Sequence, residues 1–160
     1  MRLEYFQLID RIVEFKLDER TIRTQATVPT ENTIFEGHFP GFPLMPGVLL
    51  AEAMAQTSGW LIIGVQKFQR MPFLAGMKEL KLRDFVKPGE TLDLSASLAH
   101  EGSGFAVTQA KIERGGKRIC SATITFRVIE FPNPEFVASM VGFAKAIDFP
   151  AELFAESARS

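Results

Sequence analysis

The chain has 160 residues, 46% of them hydrophobic and 23% charged, with a formal net charge of -1 at pH 7. That is the size of one domain with its own core, and the balance excludes a disordered chain and the basic excess of a nucleic-acid binder. The single cysteine, Cys120, excludes an intramolecular disulfide and a cysteine zinc cluster, and suits a reducing compartment.

The first residues, Met1-Arg2-Leu3-Glu4-Tyr5-Phe6-Gln7, contain no apolar stretch of signal-peptide kind. Residues 8–29 read as two strands joined by the turn Leu17-Asp18-Glu19-Arg20. The segment from Gly37 to Gly47 is too rich in glycine and proline for regular structure. Pro46 suits a helix start, where its missing N–H is not needed, and the apolar run to about Val65 supplies the helix. Residues 47–65 could pass for a membrane span, but Glu52 and Gln56 interrupt them. A carboxylate near the bilayer centre costs roughly 2.5–3.5 kcal/mol. The expectation is a buried helix in a cytoplasmic protein.

Four strands follow. Phe73 to Val86 is one, closed by Lys87-Pro88-Gly89-Glu90. Leu92, Leu94, Ala96 and Leu98 alternate with polar neighbours, the period of a half-buried strand. Gly102-Ser103-Gly104 turns the chain into Phe105 to Arg114, and Gly115-Gly116 marks a tight hairpin. In the last strand Cys120, Ala122, Ile124, Phe126 and Val128 oppose Ser121, Thr123, Thr125 and Arg127. Two strands, a long apolar helix and four strands predict an α+β fold, an antiparallel sheet of about six strands wrapped around the helix. Beyond Phe131, Asn133-Pro134 looks like an N-cap and first helical position. Phe136, Val137, Met140, Val141, Ala144 and Ile147 then recur at helical spacing. The chain therefore divides into a domain over 1–131 and a helical extension over 132–160 packed on it.

The chemistry concentrates in residues 37–56, GHFPGFPLMPGVLLAEAMAQ. His38 sits in a loop stiffened by Pro40, Pro43 and Pro46. Glu52 lies about 9 Å along the helix from Pro46. It shares a face with Gln56 and Gly59, and Ala51, Ala53 and Ala55 leave space round it, which predicts a buried carboxylate. A neutral histidine is a suitable base near pH 7. The free amides of Gly47 and Val48 at the helix start can face an oxygen that gains negative charge, and glycine at 47 permits close approach. A carboxylate completes the set by protonating a leaving hydroxyl. A variant in which His38 alone carries the proton both ways and Glu52 orients stays open.

This segment strongly resembles the 3-hydroxyacyl-acyl-carrier-protein dehydratases of bacterial type II fatty acid synthesis, the FabZ type. Their G-H-F-P-x-x-P-x-M-P-G-V-L…E-A-x-A-Q hallmark is matched from Gly37 through Gln56. The resemblance covers roughly residues 5 to 129, including Asp10-Arg11, Ala75-Gly76 and Val86-Lys87-Pro88-Gly89. It implies a hotdog fold and dehydration of 3-hydroxyacyl thioesters in fatty acid or specialised acyl biosynthesis. His38 would be the base, Glu52 the acid reaching it from a neighbouring subunit, and the Gly47 amide the thioester-oxygen donor. It further implies a cis peptide between His38 and Phe39, and an acyl tunnel involving Phe39, Pro40, Leu49, Gln56, Phe73, Ala75 and Gly76. No metal or cofactor is implied. The partners implied are an acyl carrier protein and further copies of the chain, as a dimer or a trimer of dimers. Related dehydratase-isomerases carry aspartate where this chain has Glu52 and cysteine where it has Val48, so dehydration without isomerisation is expected.

Other features carry less. His100 precedes a turn and is given no role, and Cys120 reads as a small core hydrophobe. Gly102-Ser103-Gly104 opens no helix, so it is a turn rather than a phosphate loop. Lys81, Arg83, Lys87, Lys117 and Arg118 are solvated strand positions, some of which could dock an acidic carrier protein. A thioesterase or CoA-thioester hydratase, and a non-catalytic acyl-binding module, are the alternatives. A thioesterase does not need the His-Phe-Pro loop, and a binding module would be free to lose His38 or Glu52.

Overall fold

The computed structural model describes residues 1–154. Its strands are β1 (Arg11–Lys16), β2 (Thr21–Thr27), β3 (Arg70–Leu82), β4 (Thr91–Gly102), β5 (Phe105–Arg114) and β6 (Lys117–Glu130). Its helices are α1 (Thr33–Gly37), α2 (Gly47–Val65) and α3 (Pro134–Ala146). The strands form one antiparallel sheet in the order β1-β2-β4-β5-β6-β3. After β2 the chain crosses the sheet through α2 and returns in β3 at the far edge. The sheet therefore curls round α2, the hotdog arrangement.

The setting of α2 follows from its sequence. Leu50, Met54, Thr57 and Leu61 share one face at helical spacing and are buried with Ile22, Leu94, Ile112 and Ile124 of the sheet. Burying each large aliphatic side chain contributes about 1.5–3 kcal/mol. The helix also carries polar groups into the core, each with a partner. The hydroxyls of Thr57 and Thr24 lie 2.9 Å apart, and Thr108 donates to Ser58 at 2.8 Å. These contacts fix the rotation of α2, so Glu52, Gln56, Gly59 and Ile63 face away from β4 and β5. Of the described helices, only α2 is long and apolar enough to cross a membrane, and 67% of its most apolar 18-residue stretch is buried as the core helix of this sheet.

Two elements differ from the sequence reading. β3 runs from Arg70 to Leu82, not from Phe73 to Val86. Past Leu82 the Asp84 carboxylate accepts the Phe85 amide at 2.9 Å and Val86 accepts the Met45 amide at 2.8 Å, turning the chain off the sheet. The short helix α1 has too few residues for a period to show, and is started by Asn32, whose side chain accepts the Ile34 amide at 3.0 Å. α3 starts as expected: Asn133 caps it through the Phe136 amide at 2.8 Å, with Pro134 in its first turn.

The anchorage of the C-terminal segment extends past α3. Val137, Met140 and Val141 are half-buried against the core, whereas Ala144, Ile147, Phe149, Leu153 and Phe154 are buried. The Phe149 ring lies 5.7 Å from both Trp60 and Phe68, and Ile147 accepts the Ile12 amide at 2.7 Å. Residues 155–160 of the expected extension lie outside the described residues.

Cys120 is fully buried on β6, and loss of water pushes its thiol up to about 11 despite the nearby Arg83. The thiolate is the reactive form, so the native protein is expected to resist iodoacetamide at neutral pH and to alkylate fully once unfolded. Mass spectrometry with and without denaturant checks this; rapid native labelling would contradict the burial.

Candidate active site

His38 follows α1, and its backbone is held at both ends. Its amide donates to Ile34 at 2.9 Å, and its carbonyl accepts the Leu44 amide at 2.8 Å. Phe39 and Phe42 exchange two backbone hydrogen bonds, of 3.0 and 2.9 Å, closing a small loop. The His38–Phe39 peptide is cis, as the resemblance implies. The imidazole is half-buried beside the Phe39 ring, 4.0 Å between centroids. Among the described residues neither ring nitrogen has a hydrogen-bond partner, which leaves the ring able to take up a proton.

The start of α2 lies in the same cleft. The Leu49 and Leu50 amides both donate to the Pro46 carbonyl, at 3.0 and 3.2 Å. Those of Gly47 and Val48 have no partner among the described residues, the usual condition of a helix N-terminus. His38, Phe39 and Gly47 line one cleft with Leu82 and Phe85. A side chain at position 47 would run into Leu82, so glycine here keeps the backbone accessible and the wall unmoved. Val48 does not line the cleft, and its side chain is 74% exposed.

The wall of this cleft has a support that the sequence reading did not identify. Asp84 accepts the Phe85 amide and pairs with Arg114 at 2.7 Å and Lys117 at 3.6 Å. The Phe85 amide, with Arg114 and Lys117, holds its carboxyl below the usual aspartate value. Arg114 also donates to the Phe85 carbonyl at 2.7 Å and pairs with Glu90 at 3.0 Å. Asp84 and Arg114 lie thirty positions apart in sequence, and neither has a local pattern that marks it.

Glu52 is half-buried rather than buried. The half-exposed stripe Glu52, Gln56 and Gly59 interrupts the apolar surface of α2, so the carboxylate keeps contact with water and avoids the full desolvation cost. The Gln56 amide donates to Glu52 Oε1 at 3.2 Å and to the Phe6 carbonyl at 2.9 Å, and its oxygen accepts the Leu8 amide at 3.0 Å. Gln56 thus ties the N-terminal segment to α2 and orients the carboxylate. Glu52 opens on a second cavity of about 290 Å³, which follows α2 past Gly59 and Trp60.

Within one protomer the two candidate catalytic groups therefore face different spaces. His38 and Gly47 share the cleft by the β3 end, and Glu52 and Gln56 share the cavity on the other side of α2. Of the other expected tunnel residues, Phe39 lines the first space, and Pro40, Leu49, Phe73, Ala75 and Gly76 line neither. The strand residues that do face the Glu52 cavity are Met71, Pro72 and Leu74 of β3 and Phe126 of β6. Met140 and Phe143 of α3 face it too, which helical spacing alone could not show because it does not say what a face meets.

The match to a family model decides the relationship: residues 2–123 fit a FabA-like domain. The chain belongs to the FabA-like family. Within it, the chain is 38% identical over 122 residues to the 3-hydroxyacyl-[acyl-carrier-protein] dehydratase FabZ of Streptococcus sanguinis, covering 76% of this chain and 86% of that protein. Identity is also 38% over 130 residues to the bifunctional enzyme LpxC/FabZ of Chlorobaculum tepidum. That match covers 80% of this chain but 28% of the bifunctional protein. Among solved structures, a hypothetical thioesterase with coenzyme A from Streptococcus pneumoniae superposes with a TM-score of 0.58 at 17% identity, over 77% of this chain and 90% of that one. At that identity the likeness is one of fold, and the fold is the hotdog.

Proposed function

We propose that the protein dehydrates 3-hydroxyacyl-acyl carrier protein to the trans-2-enoyl thioester, as its FabZ relatives are named for doing. The observation that carries the reading is the pairing of an unbonded His38 imidazole with the free Gly47 amide in one cleft, within a chain of this family. His38 takes the C2 proton of the substrate, and the electron pair moves toward the thioester carbonyl. The Gly47 amide and the positive end of the α2 dipole stabilise the negative charge on that oxygen. The charge then returns to form the C2–C3 double bond as the C3–O bond breaks, with Glu52 giving a proton so that water leaves.

Glu52 belongs to the site of the neighbouring subunit on this reading. The separation of His38 and Glu52 into two spaces supports this, because neither space holds a complete set. So does the outer edge of β3, which no strand covers, with Phe73, Leu74, Leu80 and Leu82 exposed along that strand and Val48 near it. An open apolar edge strand is a pairing surface, and joining two such edges makes a symmetric dimer. Lys81, Arg83, Lys87, Lys117 and Arg118 are all exposed, and Arg83 lines the His38 cleft, which favours docking of an acidic carrier protein near its mouth. The place of action is the cytoplasm.

The test is dehydration of 3-hydroxyacyl-acyl carrier protein by the purified protein, followed by mass spectrometry of the acyl group. Loss of water from the thioester is the expected result. Release of free 3-hydroxy acid would instead assign a thioesterase, and no reaction at any chain length would overturn the reading.

A further inference from the structure

The cavity that begins at Glu52 has one wall that the family match does not include. Its floor is α2, where Gly59 provides the room: a Cβ there would meet nothing nearer than Pro72, at 3.8 Å. Along that floor from Glu52 to Ile63 is about 16 Å at 1.5 Å per residue. A fully extended chain advances about 3.5 Å per three bonds, so this length holds roughly a dozen methylenes. The opposite wall is α3, which contributes Met140, Phe143 and Ala146. The matched family domain ends at residue 123, and α3 starts at Pro134. The lining is apolar apart from Glu52, Gln56 and, on the N-terminal segment bound to Gln56, Tyr5 and Gln7, so the cavity has a polar head and a largely apolar body.

We infer that α3 is the outer wall of the acyl-binding groove, and that this C-terminal helix sets which acyl lengths the enzyme accepts. The inference rests on the dehydratase reading for the identity of the polar head, where the thioester carbons react, but not for the groove itself. α3 is fitted to such a role. It is only half-buried along Val137, Met140 and Val141, yet it is pinned at its end by Ala144, Ile147 and Phe149, so its apolar face is anchored beside the groove. Phe149 packs on Trp60, which itself lines the groove.

The test adds bulk from the two opposing walls. Ala146→Phe acts from α3, at an exposed position where folding should tolerate it; Gly59→Leu acts from α2, where the first added carbon makes only ordinary contact with Pro72, at 3.8 Å. For carrier-protein substrates from 3-hydroxybutyryl upward, the loss of kcat/KM in each variant should be smallest on the shortest chain and grow with chain length. Each should lose roughly tenfold or more on chains long enough to reach the substituted position. An effect equal at every length, or no effect from Ala146→Phe, would overturn the inference.

A second measurement separates this from failure of the dehydratase reading. Trp60 is the only tryptophan of the chain and lines the groove, so its fluorescence reports occupancy. Brominated fatty acids of graded length should quench it in the wild-type protein, and Ala146→Phe should weaken quenching by the longer acids only. Quenching that behaves this way in a protein without dehydratase activity keeps the groove and removes the proposed reaction. Normal dehydration with no quenching of Trp60, or with quenching insensitive to Ala146→Phe, keeps the reaction and removes the inference.

Discussion

Replacing His38 by alanine is expected to lower kcat for dehydration by roughly 10²–10⁴-fold, the contribution typical of a positioned acid or base. The fold should survive, because the bonds that hold this loop come from the His38 backbone and the ring is only half-buried. Glu52→Ala is expected to fall in the same range, but it also removes the acceptor of the Gln56 amide. Glu52→Gln is therefore the sharper substitution: it nearly preserves shape and still offers an oxygen to Gln56, yet has no proton to give. Equal losses for Glu52→Gln and Glu52→Ala, with melting temperatures close to wild type, would assign the effect to proton transfer. If Glu52→Gln kept most of the activity, Glu52 would be an orienting group and His38 would carry the proton both ways. Near-normal turnover by His38→Ala would end the mechanism altogether.

The parts of this fold legible in the sequence were those with a period or a turn signal. The alternation from Cys120 to Val128 and the paired glycines at 115 and 116, both with positive φ, fixed the β5–β6 hairpin. The apolar run after Pro46 fixed α2 to within a residue. What had no local signature went unread. α1 is too short for a period, and the end of β3 is decided by the Asp84 side chain and the distant Arg114. The position of Glu52 shows a subtler limit. Its apolar neighbours suggested burial, but rotation of α2 is set by Thr57 and Ser58 reaching the sheet, and that rotation leaves Glu52 on the open stripe. The motif identified the residues of the candidate site, whereas the spaces they face depend on packing across the whole sheet.

A shared site makes a prediction that no single-chain site can meet. Mixing inactive His38→Ala protein with inactive Glu52→Ala protein, under conditions that exchange subunits, is expected to restore activity. In the mixed dimer one site would combine both substitutions, and the other would combine the intact His38 of one chain with the intact Glu52 of its partner. With random exchange at equal amounts, half the dimers are mixed and each has one working site in two, so activity should rise to roughly a quarter of wild type. Within a protomer His38 opens on the cleft beside Leu82 and Phe85, while Glu52 opens on the groove under α3, and on the proposed reading the complete set is made across an interface. The exposed edge of β3 is the proposed interface, and substitutions there should abolish the recovery by preventing exchange into mixed dimers. Leu80→Lys, at a 41% exposed leucine on that strand, is the suitable control: it should leave each chain folded but monomeric on size exclusion, and the mixture inactive. If activity fails to return although mixed dimers are demonstrated by mass spectrometry, both residues act within one chain. The two spaces would then have to join by a movement of α2 or the His38 loop rather than by assembly.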